Sequence, residues 1–164
     1  MMRVVIMGVS GCGKSSVGEG LSLRLGISYR DGDDLHPPQN VEKMRAGIPL
    51  TDDDRWPWLD RVSDVLASQP PVIVGCSALR RVYRDRIRTG AGGPVQFIHL
   101  TGRRDLIAGR MSSRSGHYMP PSLLDSQFAA LEPPGVDEAF SIDIDQPLSA
   151  LIDVIAAHLE GLHP

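Results

Sequence analysis

Within nine residues, from Gly8 to Ser16, the chain places three glycines, three serines and a lysine. The run Gly8-Val-Ser-Gly-Cys-Gly13-Lys14-Ser15 satisfies GxxxxGK[ST] at each fixed position. Glycines at these positions let successive backbone N–H groups turn inward around a phosphate, making an anion nest at a helix N-terminus. Lys14 would then reach the β- and γ-phosphates of a nucleotide, and the Ser15 hydroxyl would ligate Mg²⁺. Gly8, Ser10, Gly11, Cys12, Gly13 and Ser16 complete the expected contacts to ATP. A glycine-rich turn with these letters by chance is the rival reading. The apolar run before the motif and the helical pattern after it favour the phosphate loop. Cys12 has two readings: Lys14 and the helix N-terminus favour a thiolate open to oxidation, whereas the position needs only a small residue. The small, uncharged filler is preferred. The loop by itself leaves kinase, GTPase and ATPase open.

A second cluster lies in "YRDGDDLHPPQNVEKM", from Tyr29 to Met44. Asp31 and Asp33 are two apart, so on extended chain they point the same way. A carboxylate beside a γ-phosphate can take the proton of an attacking hydroxyl or hold a magnesium-bound water. Alone, DGDD reads as an ordinary acidic turn; at the end of the strand after a phosphate loop, the chemical reading overtakes it. A GTPase would need a water-positioning glutamine instead of this carboxylate, and no guanine-reading NKxD-type segment appears. Further on, "GRMSSRSGHYMP" sets Arg110 and Arg114 at i and i+4, on one face of a helix. Arginines on a closing segment neutralise the transferring group and exclude water. A surface arginine pair is the bland alternative.

The elements that must hold these groups follow from hydrophobic periodicity. Short apolar runs predict strands at Val4–Met7, Pro71–Val74, Val95–Leu100 and Ser141–Ile144, with a weaker one at Ile27–Arg30. Helical patterns lie between them, over Lys14–Leu25, Asn40–Ala46, Arg55–Ala67, Ala78–Arg88, Arg104–Arg114, Ser122–Leu131 and Leu148–Leu159. This alternation predicts βαβ units and a parallel sheet covered on both faces, whose ligands bind beyond the carboxyl ends of the strands. A chain of 164 residues suits one domain with a sizeable core. The net charge of −3 gives no general basic footprint, so no nucleic-acid partner is expected. Cys12 and Cys76 form no zinc or disulfide pattern, and the short N-terminal apolar run is neither a signal peptide nor a membrane span; a cytoplasmic protein is expected. His99, in mid-strand, reads as a satisfied core histidine and Cys76 as a buried filler.

The phrases "MGVSGCGKSSVG", "DGDDLHPPQNVEKMRAGIPLTDDDRWPWL", "CSALRRVYRDRIR", "LTGRRDLIAGRMSSRSGHYMPPSLLDSQFAALEPP" and "DIDQPL" together resemble gluconokinases of the small phosphate-loop type, relatives of shikimate and nucleoside monophosphate kinases. The resemblance runs from Val4 to about Leu151, and Asp31–Leu59 and His117–Leu131 carry it more specifically than the phosphate loop. Departures are small: Cys12 where serine is usual, Ser16 where threonine is frequent, Arg80-Arg81 for lysines, Tyr118 for phenylalanine. The resemblance implies a three-layer α/β/α fold with a five-stranded parallel sheet in the order 2-3-1-4-5. It implies one kinase domain over residues 1–164, an acceptor-binding segment near 31–67 and a mobile lid near 110–121. The implied reaction is ATP + D-gluconate → ADP + 6-phospho-D-gluconate with Mg²⁺. Relatives are often dimeric, which makes a homodimer an expectation without any residue here that encodes the interface.

A gluconate-like acceptor carries one carboxylate and a row of hydroxyls, so its site needs a cation clamp and scattered hydrogen-bonding groups. Asp33 is the expected base, and Asp31 the expected holder of Mg²⁺ through water. Arg55 could present a bidentate fork to a carboxylate, and its position resembles that of the acid-binding arginine of shikimate kinases; a surface pair with Asp52 or Asp53 is an equal alternative. His36 reads as a contact to a sugar hydroxyl, ahead of a helix cap. Ser77 and Arg80, just after the third strand, are placed to meet the polyol, while Arg84 reads as a surface ion pair. Lys43 and Arg45 read as solvated, and Trp56 or Trp58 as a structural anchor. Arg110 resembles the lid arginine that clamps ATP, with Arg114 second. His117 and Gln127 are further candidates on the acceptor side. Two alternatives stay open: a kinase for another sugar acid or hydroxyl acceptor, and a nucleotide-binding switch without acceptor chemistry.

Overall fold

Successive side chains of β1 (Arg3–Met7) leave opposite faces of one sheet, and this alternation divides the core. Val4 and Ile6 enter one apolar cluster with Val17, Leu21, Ile98, Leu151 and Ile155. Val5 and Met7 enter the other, with Trp58, Leu59, Val62, Leu66, Tyr83 and Ile87. A strand buried on both faces must be apolar at every position, which is why "VVIM" shows no polar alternation. The computed structural model describes residues 1–112 and 121–162.

The five strands are β1, β2 (Ser28–Asp31), β3 (Val72–Gly75), β4 (Gln96–Thr101) and β5 (Ala139–Asp143). All pair in parallel in the order β2-β3-β1-β4-β5, the order expected. Helices α1 (Lys14–Leu25) and α7 (Leu148–Leu162) cover one face; α3 (Asp52–Ser68) and α4 (Arg81–Gly90) cover the other. The remaining helices are α2 (Pro38–Arg45), α5 (Arg104–Ser112) and α6 (Pro121–Ala130). Among the described residues, no helix is long and apolar enough to cross a membrane.

Most boundaries shift by a few residues from the periodicity, and three differences have a specific local reason. The helix expected from Ala78 begins at Arg81, because Ala78 sits at φ 47 and a left-handed residue cannot continue a right-handed helix. The helix expected from Arg55 begins at Asp52, because Thr51 and Asp54 form a capping box: Asp54 N donates to Thr51 Oγ1 at 3.2 Å and Thr51 N to Asp54 Oδ2 at 2.9 Å. Between β2 and α2 the acidic run closes into one turn of 3-10 helix, Gly32–Leu35, which the apolar pattern does not signal.

Arg84 is corrected from a surface pair to a core group. Its side chain is 1% exposed and its Nε donates to Glu138 at 2.6 Å. One terminal nitrogen donates to Ala78 O at 2.7 Å, the other to Glu132 O at 2.9 Å. Arg84 therefore ties the loop after β3 to the segment before β5. Burial raises the Glu138 pKa, but hydrogen bonds from Arg84 and Arg88 outweigh it and hold the group below its ordinary value. Arg84→Met is expected to destabilise the protein by about 2–4 kcal/mol in denaturant unfolding, since it leaves the Ala78 and Glu132 carbonyls without their donors and Glu138 with Arg88 as its remaining arginine. A loss under about 1 kcal/mol would show that the network contributes little.

Candidate active site

Strand register sets the site's dimensions. Gly75 at the end of β3 pairs with Ile6 on one side and Asp31 on the other. The phosphate loop, leaving β1 just beyond Ile6, and the acidic turn, leaving β2 at Asp31, therefore start at one level with a single strand between them. Two strand spacings, about 10 Å, separate the two strand ends. That gap suits a phosphoryl group and its acceptor.

On the β1 side, Gly8, Gly11 and Gly13 have φ of 146°, 82° and 100°. Gly13 is the residue just before α1, where φ 100 and ψ 22 would strain any side chain. Lys14 Nζ donates to Gly8 O at 2.9 Å and Val9 O at 3.1 Å, so the ammonium folds back over the loop. Ser15 and Ser16 are exposed on the first turn of α1. Cys12 is buried, and desolvation raises its pKa despite the opposing Lys14 charge, which supports the filler reading over the thiolate one. Cys76 is likewise a buried free thiol, pushed up to about 12 by burial.

On the β2 side, the acidic turn is pinned from three directions. Asp31 Oδ1 accepts from Asp33 N at 2.9 Å, capping the 3-10 turn. The Trp58 indole N–H donates to Gly32 O at 2.7 Å, making Trp58 the anchor of the two tryptophans. A Cβ on Gly32 would lie 2.3 Å from Gly75 O, so only glycine lets the turn sit down on β3. Asp33 opens to the cleft, yet its pKa is raised, first by desolvation and then by Asp31, while Lys14 pulls it down. The expected base and the phosphate-loop lysine thus lie in one electrostatic field.

Tyr29 is a residue that sequence reasoning missed. Its ring fills the space left by Gly18 and Gly75, where added Cβ atoms would lie 2.3 Å from the ring and 2.4 Å from the hydroxyl. Among the described residues the buried hydroxyl has no hydrogen bond of full geometry, and the Ser15 side chain is the hydrogen-bonding neighbour that acts on it. Burial pushes its pKa up to about 12; Ser15 acts in the opposite direction, and Asp31 and Asp33 reinforce the rise. A tyrosine in a short strand reads as packing, so nothing in the sequence signals this buried hydroxyl. Among the described residues no three His, Cys, Asp or Glu side chains gather as a metal site. Ser15, exposed on α1, and Asp31, at the end of β2, offer oxygen donors of the kind Mg²⁺ takes.

The acceptor-side candidates divide into two groups. Arg55 and Arg80 come together with Asp52 and Tyr83: Arg80 donates to Asp52 at 3.0 Å, and Arg55 to the Tyr83 hydroxyl at 3.0 Å. Ser77 is half-buried, its carbonyl accepting from Gly8 N at 3.2 Å, which joins the β3 loop to the phosphate loop. His36 instead belongs to the packing. It is 8% exposed, stacked on Trp58 with centroids 4.1 Å apart, and within 3.2 Å of the Asn40 amide. Desolvation, helped by Arg55, lowers its pKa to about 4, so it is neutral at neutral pH. Lys43, expected to be solvated, pairs with Asp54 at 2.7 Å.

On the lid side, Arg110 donates to Ile144 O at 2.9 Å, linking α5 to the end of β5. Gln127 on α6 faces the phosphate loop: its Oε1 accepts from Ser10 N at 2.7 Å and its Nε2 donates to Ser10 Oγ at 2.9 Å. Its amide thus meets the phosphate loop through Ser10, where the expected contact was to acceptor hydroxyls. Arg114 and His117 lie outside the described residues. His99 is buried as expected, held in β4 between Met7 and Ser141, and desolvation, helped by Arg84, lowers its pKa to about 4.

A phosphate loop alone serves many nucleotide enzymes. With an acidic turn one strand away and a parallel sheet in this order, the architecture is that of a phosphate-loop kinase acting on a small acceptor. No family model matches the chain. Over 139 residues it is 50% identical to the gluconokinase of Gluconobacter oxydans (strain 621H), covering 82% of this chain and 78% of that protein. It is 39% identical over 178 residues to a probable gluconokinase of Xenopus tropicalis, covering 97% and 94%. The structure superposes on a crystal structure of a gluconokinase from Sinorhizobium meliloti 1021 with a TM-score of 0.91 and 49% identity, covering 98% of this chain and 93% of that one. The chain belongs to the gluconokinase family.

Proposed function

We propose that the protein transfers the γ-phosphoryl group of ATP to the 6-hydroxyl of D-gluconate, giving ADP and 6-phospho-D-gluconate. Asp33 orients the hydroxyl and takes its proton as the new oxygen–phosphorus bond forms and the bond to the β,γ-bridging oxygen breaks; the proton then passes to solvent. Lys14 and Arg110 carry positive charge to the transferring group. The observation that carries this reading is the placement of Asp33: on a pinned turn, one strand from the phosphate loop, within the field of Lys14.

Ser15 and the second oxygen of Asp31, acting through water, would hold Mg²⁺. The ion, when bound, neutralises charge on the β- and γ-phosphate oxygens. Arg55, Arg80 and Ser77 supply the cation clamp and a hydroxyl contact for the acceptor. Arg114 and His117 are assigned to the lid near residues 110–121 and the acceptor segment to residues 31–67 of a single kinase domain, working in the cytoplasm.

An acceptor panel tests the reading directly. In a coupled ADP-release assay, D-gluconate is expected to stimulate ATP turnover well above other sugar acids, shikimate and nucleosides. Equal or better turnover of another acceptor would replace gluconate with that compound. Nucleotide binding with no acceptor-stimulated turnover would leave a binding module in place of a kinase.

A further inference from the structure

Asp52 lies within reach of two arginines and a phenol. The Tyr83 hydroxyl donates to its Oδ1 at 2.5 Å, and Arg80 donates to its Oδ2 at 3.0 Å. Arg55 stands 3.8 Å from Oδ1, and its hydrogen bond goes instead to the Tyr83 oxygen at 3.0 Å. Both guanidinium carbons lie near the Tyr83 ring, 5.3 Å and 5.8 Å from its centroid, and Trp56 packs edge-on against that ring at 5.9 Å.

These bonds form a chain with a direction. A phenol has one proton, and Tyr83 spends it on Asp52, so its oxygen is turned to accept from Arg55. Desolvation and then the Asp52 hydrogen bond raise the Tyr83 pKa, against the opposing pull of the Arg55 charge and of Arg80 on the phenol oxygen. Arg80 is shared by two carboxylates, Asp52 and Glu132, the latter at 3.6 Å. The Arg55 side chain makes one hydrogen bond among the described residues, leaving other guanidinium donors for a ligand.

We propose that Asp52 and Tyr83 are positioning residues for acceptor recognition: Asp52 orients the Tyr83 hydroxyl, and Tyr83 holds the Arg55 fork toward the carboxylate of the acceptor. Neither needs to touch the acceptor. Preference for a sugar acid over a neutral polyol then depends on a phenolic hydroxyl behind the arginine. The inference rests on the assignment of Arg55 to the acceptor carboxylate in the proposed reaction.

Tyr83→Phe keeps the ring and its packing and removes only the hydroxyl. It is expected to raise the gluconate KM about tenfold, the worth of one hydrogen bond to a charged group. The turnover number should stay within about twofold and the ATP KM should not move, a split that a general loss of folding would not produce. Preference for gluconate over D-sorbitol should fall by the same factor. Asp52→Asn, at a half-exposed position that tolerates the change, should raise the gluconate KM in the same sense by a smaller factor. Unchanged KM in both variants overturns the proposal, as does a fall in turnover without a KM change. A lower gluconate KM in Asp52→Asn also overturns it, because Asp52 would then be competing with the acceptor for the arginines. The wild-type acceptor panel separates the two levels: if another carboxylate proves to be the acceptor, the gluconate reading fails while the same comparison, run with that acid, still decides this one.

Discussion

Asp33→Asn is expected to lower the turnover number by about 10²- to 10⁴-fold while leaving ATP binding unchanged. The amide keeps the size of the side chain and its place on the pinned turn, so the acceptor still meets a hydrogen-bonding group. It loses the negative charge and the basicity, which are used only as the hydroxyl attacks. The gluconate KM should therefore change little. Steady-state kinetics with nucleotide calorimetry checks both halves, and turnover within about threefold of wild type would sink the base assignment. The pH profile gives a second readout. Desolvation and Asp31 raise the Asp33 pKa, so the acid limb of kcat/KM should lie above the ordinary carboxylate value of 3.8. Activity falls as pH drops through that raised value, and the asparagine variant should lack this limb. The sign for stability is opposite. A carboxyl raised in the folded state binds its proton more tightly there than when unfolded, so its ionisation weakens the fold as pH rises. Asp33→Asn should accordingly be no less stable than wild type at neutral pH.

Lys14→Met should lower turnover by about 10²- to 10³-fold, the effect of removing one preorganised charge donor, and should weaken ATP binding as well. Methionine approximates the aliphatic stem but cannot carry charge to the β- and γ-phosphates. The ammonium's present partners are two loop carbonyls, Gly8 O and Val9 O, and it exchanges them for phosphate oxygens when ATP binds. Loss of this cation also removes a force that lowers the Asp33 pKa, so the acid limb should move upward in the variant. Near-normal turnover, or an acid limb that does not move, would show that Lys14 and Asp33 do not act on the same centre.

Much of the site is legible in the amino-acid sequence. GxxxxGK[ST] carries its own mechanism, because glycine backbone freedom and a lysine at fixed spacing are local properties. Asp31 and Asp33 are legible as neighbours, but not their geometry: the extended chain expected for them ends at Asp31, and Asp33 lies in the 3-10 turn that Asp31 caps. Other groups are not legible. Arg84 sits in an arginine-rich helix that looks solvent-facing, yet its partner Glu138 is 54 residues away and Ala78 turns the loop beneath it. Gln127 meets Ser10 across 117 residues, a contact with no trace in local pattern. His36 has the chemistry of a sugar contact, but the stacked Trp58 and the neighbouring Asn40 make it part of the packing.

The amino-acid sequence by itself determined the strands, the α-helices and the phosphate-loop motif, because each is encoded by residues within a few positions of one another. It also placed the chain beside the gluconokinases through phrases of fixed spacing. Tertiary structure alone decided which of these groups share one cleft. The parallel register brings Ile6, Gly75 and Asp31 to one level, and a missing side chain at Gly32 lets the acidic turn settle beside the phosphate loop. The same packing gathers Arg55, Arg80 and Tyr83 around Asp52. Such proximities arise from sheet order and close packing between distant segments, and no local spacing carries that information.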